Sequence, residues 1–264
     1  MDLQLSDKLA LVTGSTAGIG FAISSVLASE GATVIINGRS GTRVAEATEK
    51  IRQRHPHSKL EALIGDLSKV EAVEQATSTF PHVDILINNL GVYEPKPFEA
   101  ISDEDWTAII ETNFMSGFRL SRYYLAKMKA RNWGRIIFIS SESAINIPVE
   151  MIHYGVTKTM QLALARGLAE TTAGTGVTVN SILAGPTRSE GVEEFVSQMA
   201  KSRNVEPSVM EQEFFETVRP SSLLKRFATT DEVAALVAYV ASPQSSATNG
   251  AALRVDGGVV RSII

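Results

Sequence analysis

The chain has no cysteine among its 264 residues. That excludes disulfides, thiolate metal centres and a cysteine nucleophile. Histidine is scarce too: there are four, without metal-ligand spacing, and His55 and His57 flank a proline as loop residues do, so no metal is expected. No apolar run reaches the roughly 20 residues that a membrane-crossing helix needs. The opening Met1-Asp2-Leu3-Gln4 lacks the basic stretch and apolar core of a secretion signal, so a cytoplasmic protein is expected. A net charge of −4 with no block of like charge gives no reason to expect nucleic acid or a membrane surface as partner.

What is present is an alternation of short apolar runs with longer helical patterns. Strands are predicted near Leu9–Thr13, Thr33–Ile36, Leu60–Ile64, Asp84–Ile87, Arg135–Ile139, Thr178–Ile182 and Ala252–Val255. Helices are predicted near Ile19–Ser29, Thr42–Arg54, Val70–Phe80, Ser116–Ala130, Tyr154–Thr171 and Asp231–Ala241. Strands that are apolar throughout, separated by helices, indicate a parallel sheet covered on both faces. Right-handed crossovers make it doubly wound: an α/β, Rossmann-type sheet of about seven strands forming a single domain over 1–264. Ligands of such sheets sit beyond the carboxyl ends of the strands, where this chain places its polar clusters. The stretch at about 185–220 is different in texture. It mixes charges with Phe195, Met199, Val209, Met210, Phe214 and Phe215, and reads as a helical flap over a substrate.

The first apolar run ends in Thr13-Gly14-Ser15-Thr16-Ala17-Gly18-Ile19-Gly20. Gly14 permits a tight turn, Gly18 and Gly20 permit close approach, and the free N–H groups that open the next helix face a pyrophosphate. Gly14, Ser15, Thr16, Gly18, Ile19 and Gly20 are therefore expected to cradle a dinucleotide. The second strand ends in Asn37-Gly38-Arg39-Ser40, where such folds read the adenosine ribose. Gly38 brings no carboxylate to hold a 2′-hydroxyl, and Arg39 can pair with a 2′-phosphate, so NADP(H) is preferred to NAD(H). Asn37, Arg39 and Ser40 complete that subsite; the plainer reading of Arg39 is a solvated loop residue. Asp66, after the third strand, can accept from the adenine amino group beside Leu67, or can cap the helix that begins near Lys69.

A second constellation is Ser141 followed by Tyr154-x-x-x-Lys158. Four residues apart on a helix, Tyr154 and Lys158 share a face. A free phenol, with a pKa of about 10, is a poor base near neutrality. A neighbouring ammonium and a positively charged nicotinamide both lower that value, so Tyr154 can pass a proton to or from a carbonyl/alcohol oxygen. Ser141 can hydrogen-bond the same oxygen.

In this order the motifs resemble the short-chain dehydrogenase/reductase family, in its 3-oxoacyl-carrier-protein-reductase-like branch, over nearly the whole chain. The resemblance rests on the glycine turn, Asn88-Asn89-Leu90-Gly91, Glu111-Thr112-Asn113, Ser141, Tyr154-Gly155-Val156-Thr157-Lys158 and Val255-Asp256-Gly257-Gly258. It implies an NAD(P)-linked oxidoreductase acting on hydroxyl or carbonyl groups. It implies that Lys158 binds the nicotinamide ribose and that Asn113 binds a water linking Lys158 to solvent. It places Asn88 and Gly91 along the cofactor, with Asn89 as readily a brace for the sheet. Ala184 stands where the family has proline, before Gly185; the Thr187 backbone then meets the nicotinamide carboxamide, with Ser189 in place of a threonine. Tyr93, Ser143, Leu183 and the flap are expected to line the substrate pocket. Glu142 is read as an outward, solvated carboxylate, and His153 as a packing residue. The basic residues Arg119, Arg122, Lys127, Lys129 and Arg131 fit either an acyl-carrier docking patch or an exposed helix face. The family forms dimers or tetramers, so Leu162, Leu164, Leu168 and the apolar tail Val259–Ile264 are expected at an interface of a homotetramer or homodimer. A non-catalytic dinucleotide sensor, or a lyase or epimerase on the same scaffold, remains the alternative.

Overall fold

The structure is a computed structural model and describes residues 2–263; Met1, Ile264 and the side chain of Phe195 lie outside the described residues. Its strands are β1 (Leu9–Val12), β2 (Thr33–Gly38), β3 (Lys59–Ile64), β4 (Ile85–Asn88), β5 (Gly134–Ser141), β6 (Val177–Ala184), β7 (Thr187–Arg188), β8 (Ala228–Thr229) and β9 (Ala252–Val255), and the central ones form where runs rich in Val, Ile and Leu are buried on both faces. Seven of them make one parallel sheet in the order β3-β2-β1-β4-β5-β6-β9. The chain winds outward from β1 to β3, then returns to place β4 on the other flank of β1. That reversal opens a crevice above the carboxyl ends of β1 and β4.

The helices are α1 (Gly18–Ser29), α2 (Gly41–Arg54), α3 (Val70–Thr79), α4 (Asp103–Ile110), α5 (Ser116–Ala130), α6 (Ile152–Glu170), α7 (Glu190–Arg203), α8 (Pro207–Glu213) and α9 (Thr230–Ala241). Successive strand residues point to opposite faces, so the sheet feeds two cores. Val12, Ile36, Ile87, Ile139 and Ile182 meet Ile23, Leu27, Ile51, Val233 and Val237 on one side. Leu11, Ile35, Leu86, Phe138 and Val179 meet Val73, Leu120, Tyr124, Met128 and Ala165 on the other. Truncating one such fully buried Leu or Ile to alanine costs about 2–5 kcal/mol.

Four features depart from the sequence reading. First, α4 was not expected, although Ser102 and Asp105 form a reciprocal capping box at its start. It joins α5 through a wide turn over Glu111–Met115, with hydrogen bonds five residues apart. Second, β5 and β6 run on through Ser141 and Ala184, because their polar ends pair with each other. Third, the flap does not stop near 220. A short ladder between β7 and β8 ties its two ends together, so it closes at Ala228–Thr229. Fourth, Leu162, Leu164 and Leu168 are half-buried rather than spare, and Leu164 and Leu168 pack onto the second core. Val259 and Val260 of the tail are likewise buried within the chain, while Ile263 is 98% exposed. Among the described residues no helix is long and apolar enough to cross a membrane.

Candidate active site

The glycine turn is built by backbone geometry and braced by amides. Gly14 lies in the left-handed region (φ +61°), where a side chain is strained. Gly20 has no room for one, since a Cβ there would sit 2.5 Å from both Asn89 Nδ2 and the Gly14 carbonyl. α1 begins at Gly18 with no side-chain cap on its first N–H groups. An uncapped N-terminus facing a crevice is a ready anion site.

Two asparagines hold this turn. Asn37 Oδ1 accepts from the Gly14 N–H (3.0 Å), and its Nδ2 donates to the carbonyls of Leu63 and Gly65. Asn89 Nδ2 donates to the Thr13 and Gly14 carbonyls at 2.9 and 3.0 Å. The buried Ser15 hydroxyl accepts from the Asn37 N–H. The side chains of Asn37 and Ser15 are bonded within the scaffold and shape the cradle. One expectation is corrected: Asn88 is buried and turned to Ser121 on α5 (3.1 Å), away from the cavity. Asn89 braces the backbone after β1, as read from the sequence, and also borders the cavity.

At the adenosine end, Thr16 fills the space that a side chain on Gly38 would need. Arg39 is exposed and has no ion pair among the described residues. Ser40 caps α2 by accepting from the Arg43 N–H. Asp66 Oδ1 accepts from the N–H and hydroxyl of Ser68, a local turn rather than the cap of α3, which begins after Lys69. Leu67 is buried in the second core, so only its backbone can meet a ligand.

At the other end Ser141, Tyr154 and Lys158 converge. They border one cavity of about 210 Å³ with Ile19, Asn89, Tyr93, Ile139, Ser140, Ala184, Gly185, Thr187, Ser189 and Val192. The cavity thus runs from the uncapped start of α1 to the phenol. Ser141 Oγ accepts from the Ser143 N–H (3.1 Å), which leaves its own proton to donate, and it hydrogen-bonds Tyr154. The Tyr93 ring stands edge-on to that of Tyr154, centroids 6.1 Å apart. Lys158 Nζ, buried, donates to the Ile139 carbonyl at 2.8 Å and lies 5.6 Å from the Tyr154 ring centre. Gly91 leaves room for that ammonium and for Asn113 Oδ1. Asn113 is buried, its side chain paired both ways with the Val92 backbone and donating to Thr157.

Burial dominates the electrostatics of these groups. Burial pushes the Tyr154 phenol up to about 12; the Ser141 hydrogen bond opposes this and the Glu142 charge adds to it. Burial likewise brings Lys158 down to about 8. The ammonium is turned to a carbonyl rather than to the phenol, so it does not by itself depress Tyr154. The protein alone therefore holds this tyrosine as an acid with its proton in place.

Two expected pocket residues fall elsewhere. Leu183 is completely buried, and Ser143 is buried with its hydroxyl turned to Glu142. Ala184, Ile139 and Ser140 border the cavity instead. Glu142 is the largest surprise. It is 3% exposed, and its Oε1 accepts from Arg219 Nε at 2.8 Å, at the end of the flap. Arg219 also reaches Glu150 at 3.6 Å. Burial pushes the Glu142 carboxyl up and Arg219 opposes it. The flap's other ties are Arg188–Glu211, Arg203–Glu213 and a cluster of Phe214, Phe215 and Phe227. Ser189 caps α7 by accepting from the Val192 N–H, and the Thr187 hydroxyl donates to the Gly185 carbonyl. His153 is a buried packing residue against Trp106, as expected.

The basic residues on and after α5 are used locally. Arg119 pairs with Glu111, Lys129 donates to the Thr171 carbonyl, and Arg131 donates to the Val83 carbonyl. Arg122 and Lys127 lie over the rings of Phe118 and Tyr123. A larger surface hollow of about 550 Å³ is lined by Pro81, His82, Asp84, Lys127, Ala130 and Arg131, and none of the expected catalytic or cofactor-binding residues borders it.

With this geometry in view, the sequence profile of the short chain dehydrogenase family matches residues 8–200. The chain belongs to the short-chain dehydrogenase/reductase family and is an oxidoreductase of the kind that interconverts hydroxyl and carbonyl groups. It is 46% identical over 263 residues to the uncharacterised oxidoreductase YvaG of Bacillus subtilis (strain 168), all of both chains being covered. It is 31% identical to the 3-oxoacyl-[acyl-carrier-protein] reductase FabG of Aquifex aeolicus, with 98% of this chain and 100% of that one covered. Among solved structures it superposes on L-sorbose reductase of Gluconobacter frateurii, complexed with NADPH and L-sorbose, with a TM-score of 0.92, 28% identity and full coverage of both chains.

Proposed function

We propose that this chain is an NADP(H)-dependent carbonyl/alcohol oxidoreductase with Tyr154 as its general acid and base. The observation that carries this reading is one cavity with an uncapped helix N-terminus at one end and Ser141, Tyr154 and Lys158 at the other. The residues present fit a dinucleotide: a side chain on Gly20 would close the cradle, and the first N–H groups of α1 carry no competing cap. When bound, the nicotinamide supplies or accepts the hydride.

The remaining roles belong to the chain. The N–H groups at the start of α1 hold the pyrophosphate. Arg39 pairs with the 2′-phosphate, and the second oxygen of Asp66 accepts from adenine. Lys158 holds the ribose hydroxyls, and the Thr187 backbone holds the carboxamide. Ser141 donates to the substrate oxygen and fixes it against Tyr154. In reduction Tyr154 gives its proton to that oxygen as negative charge develops on it. The positive charge of an oxidised nicotinamide beside the phenol would lower its pKa and suit it to take the proton back in oxidation. The NADPH-bound sorbose reductase supports the choice of NADP(H).

The test is absorbance at the reduced-nicotinamide band, with NADPH and then NADH, against ketones, aldehydes, sugars and 3-oxoacyl thioesters. Consumption of NADPH at least 10-fold more efficient than of NADH is expected from one charge-assisted phosphate contact. Equal or better efficiency with NADH overturns the cofactor assignment. The assembly is a homotetramer in this reading; exposed Leu223 and Val149 supply apolar surface for it. A monomer in light scattering overturns that.

A further inference from the structure

We infer that Gln161 is a positioning residue that clamps Lys158 to the Asn113 backbone and sets the charge state of its ammonium. Tyr154, Lys158 and Gln161 follow one another at intervals of four and three along α6, so they share one face of the helix. Gln161 is 2% exposed. A buried amide is costly unless both ends are bonded, and here both are. Its Nε2 donates to the Asn113 carbonyl at 2.5 Å, and its Oε1 accepts from Lys158 Nζ at 3.4 Å.

The second partner lies in the wide turn Glu111–Met115. Asn113 meets α6 twice: its side chain donates to Thr157 and its carbonyl accepts from Gln161. The resemblance implied a water joining Asn113 to Lys158 and thence to solvent. In this chain the Gln161 amide also joins the two positions directly. An amide orients an ammonium but does not hand on a proton as water does. Lys158 is thus fixed between two neutral acceptors, the Ile139 carbonyl and Gln161.

The charged and titratable surroundings of Lys158 are few. Tyr154 lies beside it on α6, with Tyr93 from the loop after β4 against that ring. Glu142 follows β5 and is paired with Arg219 of the flap; Glu111, in the wide turn, is paired with Arg119. Among the described residues no carboxylate is bonded to Lys158. The Gln161 dipole is therefore the adjustable element that decides how readily the ammonium forms.

The inference rests on Lys158 being the cation of the proposed site. Its test needs neither substrate nor cofactor, so its failure leaves the proposed reaction standing. Unfolding free energy by urea is measured from pH 6.5 to 10 for the wild type, Gln161→Glu and Gln161→Met. A lysine that loses its proton at lower pH in the native state than in the unfolded chain makes stability rise with pH above its native pKa. Gln161→Glu places a carboxylate against the ammonium, and the rise should begin at least one pH unit higher than in the wild type. Gln161→Met removes the acceptor, and the rise should begin correspondingly lower. In a Lys158→Met background Gln161→Met should leave the shape of the curve unchanged. Parallel curves, offset by the same amount at every pH, would mark a merely structural glutamine and overturn the assignment. Should Gln161→Met fail to fold, the nearly isosteric Gln161→Glu still decides alone.

Discussion

The two ends of the candidate pocket are built in different ways. The cradle at the carboxyl ends of β1, β2 and β4 is a backbone construction. Its shape comes from the conformation of Gly14, the tight contact at Gly20 and amides that bond main-chain atoms. The substrate side is a side-chain construction. There the flap is held together by Arg188–Glu211, Arg203–Glu213 and three phenylalanines and is pinned to the body by Arg219–Glu142. A backbone cradle suits a ligand recognised by its phosphates, which are the same in every dinucleotide. A side-chain wall suits a ligand that differs from one relative to another, because it changes by substitution without disturbing the sheet.

Substitutions break this comparison from either end. The largest effect is expected where the two ends meet: Tyr154→Phe should lower kcat by about 10³-fold, the scale of general acid catalysis, while NADPH still binds as measured by its fluorescence. Near-normal turnover in that variant rejects the catalytic assignment.

On the substrate side, Arg219→Ala leaves the buried Glu142 carboxylate uncompensated. A loss of about 3–4 kcal/mol in urea unfolding is expected, and Glu142→Gln with Arg219→Met should recover much of it. If Arg219→Ala costs less than ~1 kcal/mol, the clasp does not hold the flap.

Lys158 tests the boundary. Its native pKa of about 8 lies below the ordinary lysine value of 10.5. Between these values the unfolded chain carries a proton that the native chain has lost, so stability rises with pH, by ~3 kcal/mol over the whole interval. Falling pH through 8 removes that contribution. Tyr154 acts in the opposite sense above pH 10, because the native phenol keeps its proton to about 12. Below pH 10, Lys158→Met should flatten the rise; an unchanged slope would mean that the lysine is not desolvated. The smallest effect belongs to the cradle's rim. Arg39→Ala should raise KM for NADPH by about 10-fold and leave that for NADH unchanged.

The same contrast explains what could be read before the fold was known. The seven main strands were legible because a strand covered on both faces needs no polar residue. The glycine turn and the Tyr154–Lys158 pair were legible because each is local, on one turn or one helix, and Ser141 because it ends the strand before that helix. Asn37 was misread because its partners Gly14, Leu63 and Gly65 are more than 20 residues away in sequence, and nothing near Asn37 announces them. Leu183 was misplaced because an all-apolar strand carries no phase to tell which residue faces the pocket. Glu142 was read as solvated because charge is normally outside; its partner Arg219 comes 77 residues later. Gln161 carried one signal, a polar residue three positions after Lys158 on the helix face of Tyr154 and Lys158.

By itself, then, the sequence determined the α/β class, the glycine turn and the shared helix face of Tyr154 and Lys158. Each of these is written in residues that are near neighbours on one turn, strand or helix, where spacing alone sets geometry. Only the tertiary structure decided which amides brace the cradle, where the flap closes, how Lys158 is held and how far Tyr154 is driven from its ordinary pKa. Those outcomes depend on burial and on contacts between distant segments, and neither exists until the sheet has brought its strand ends together.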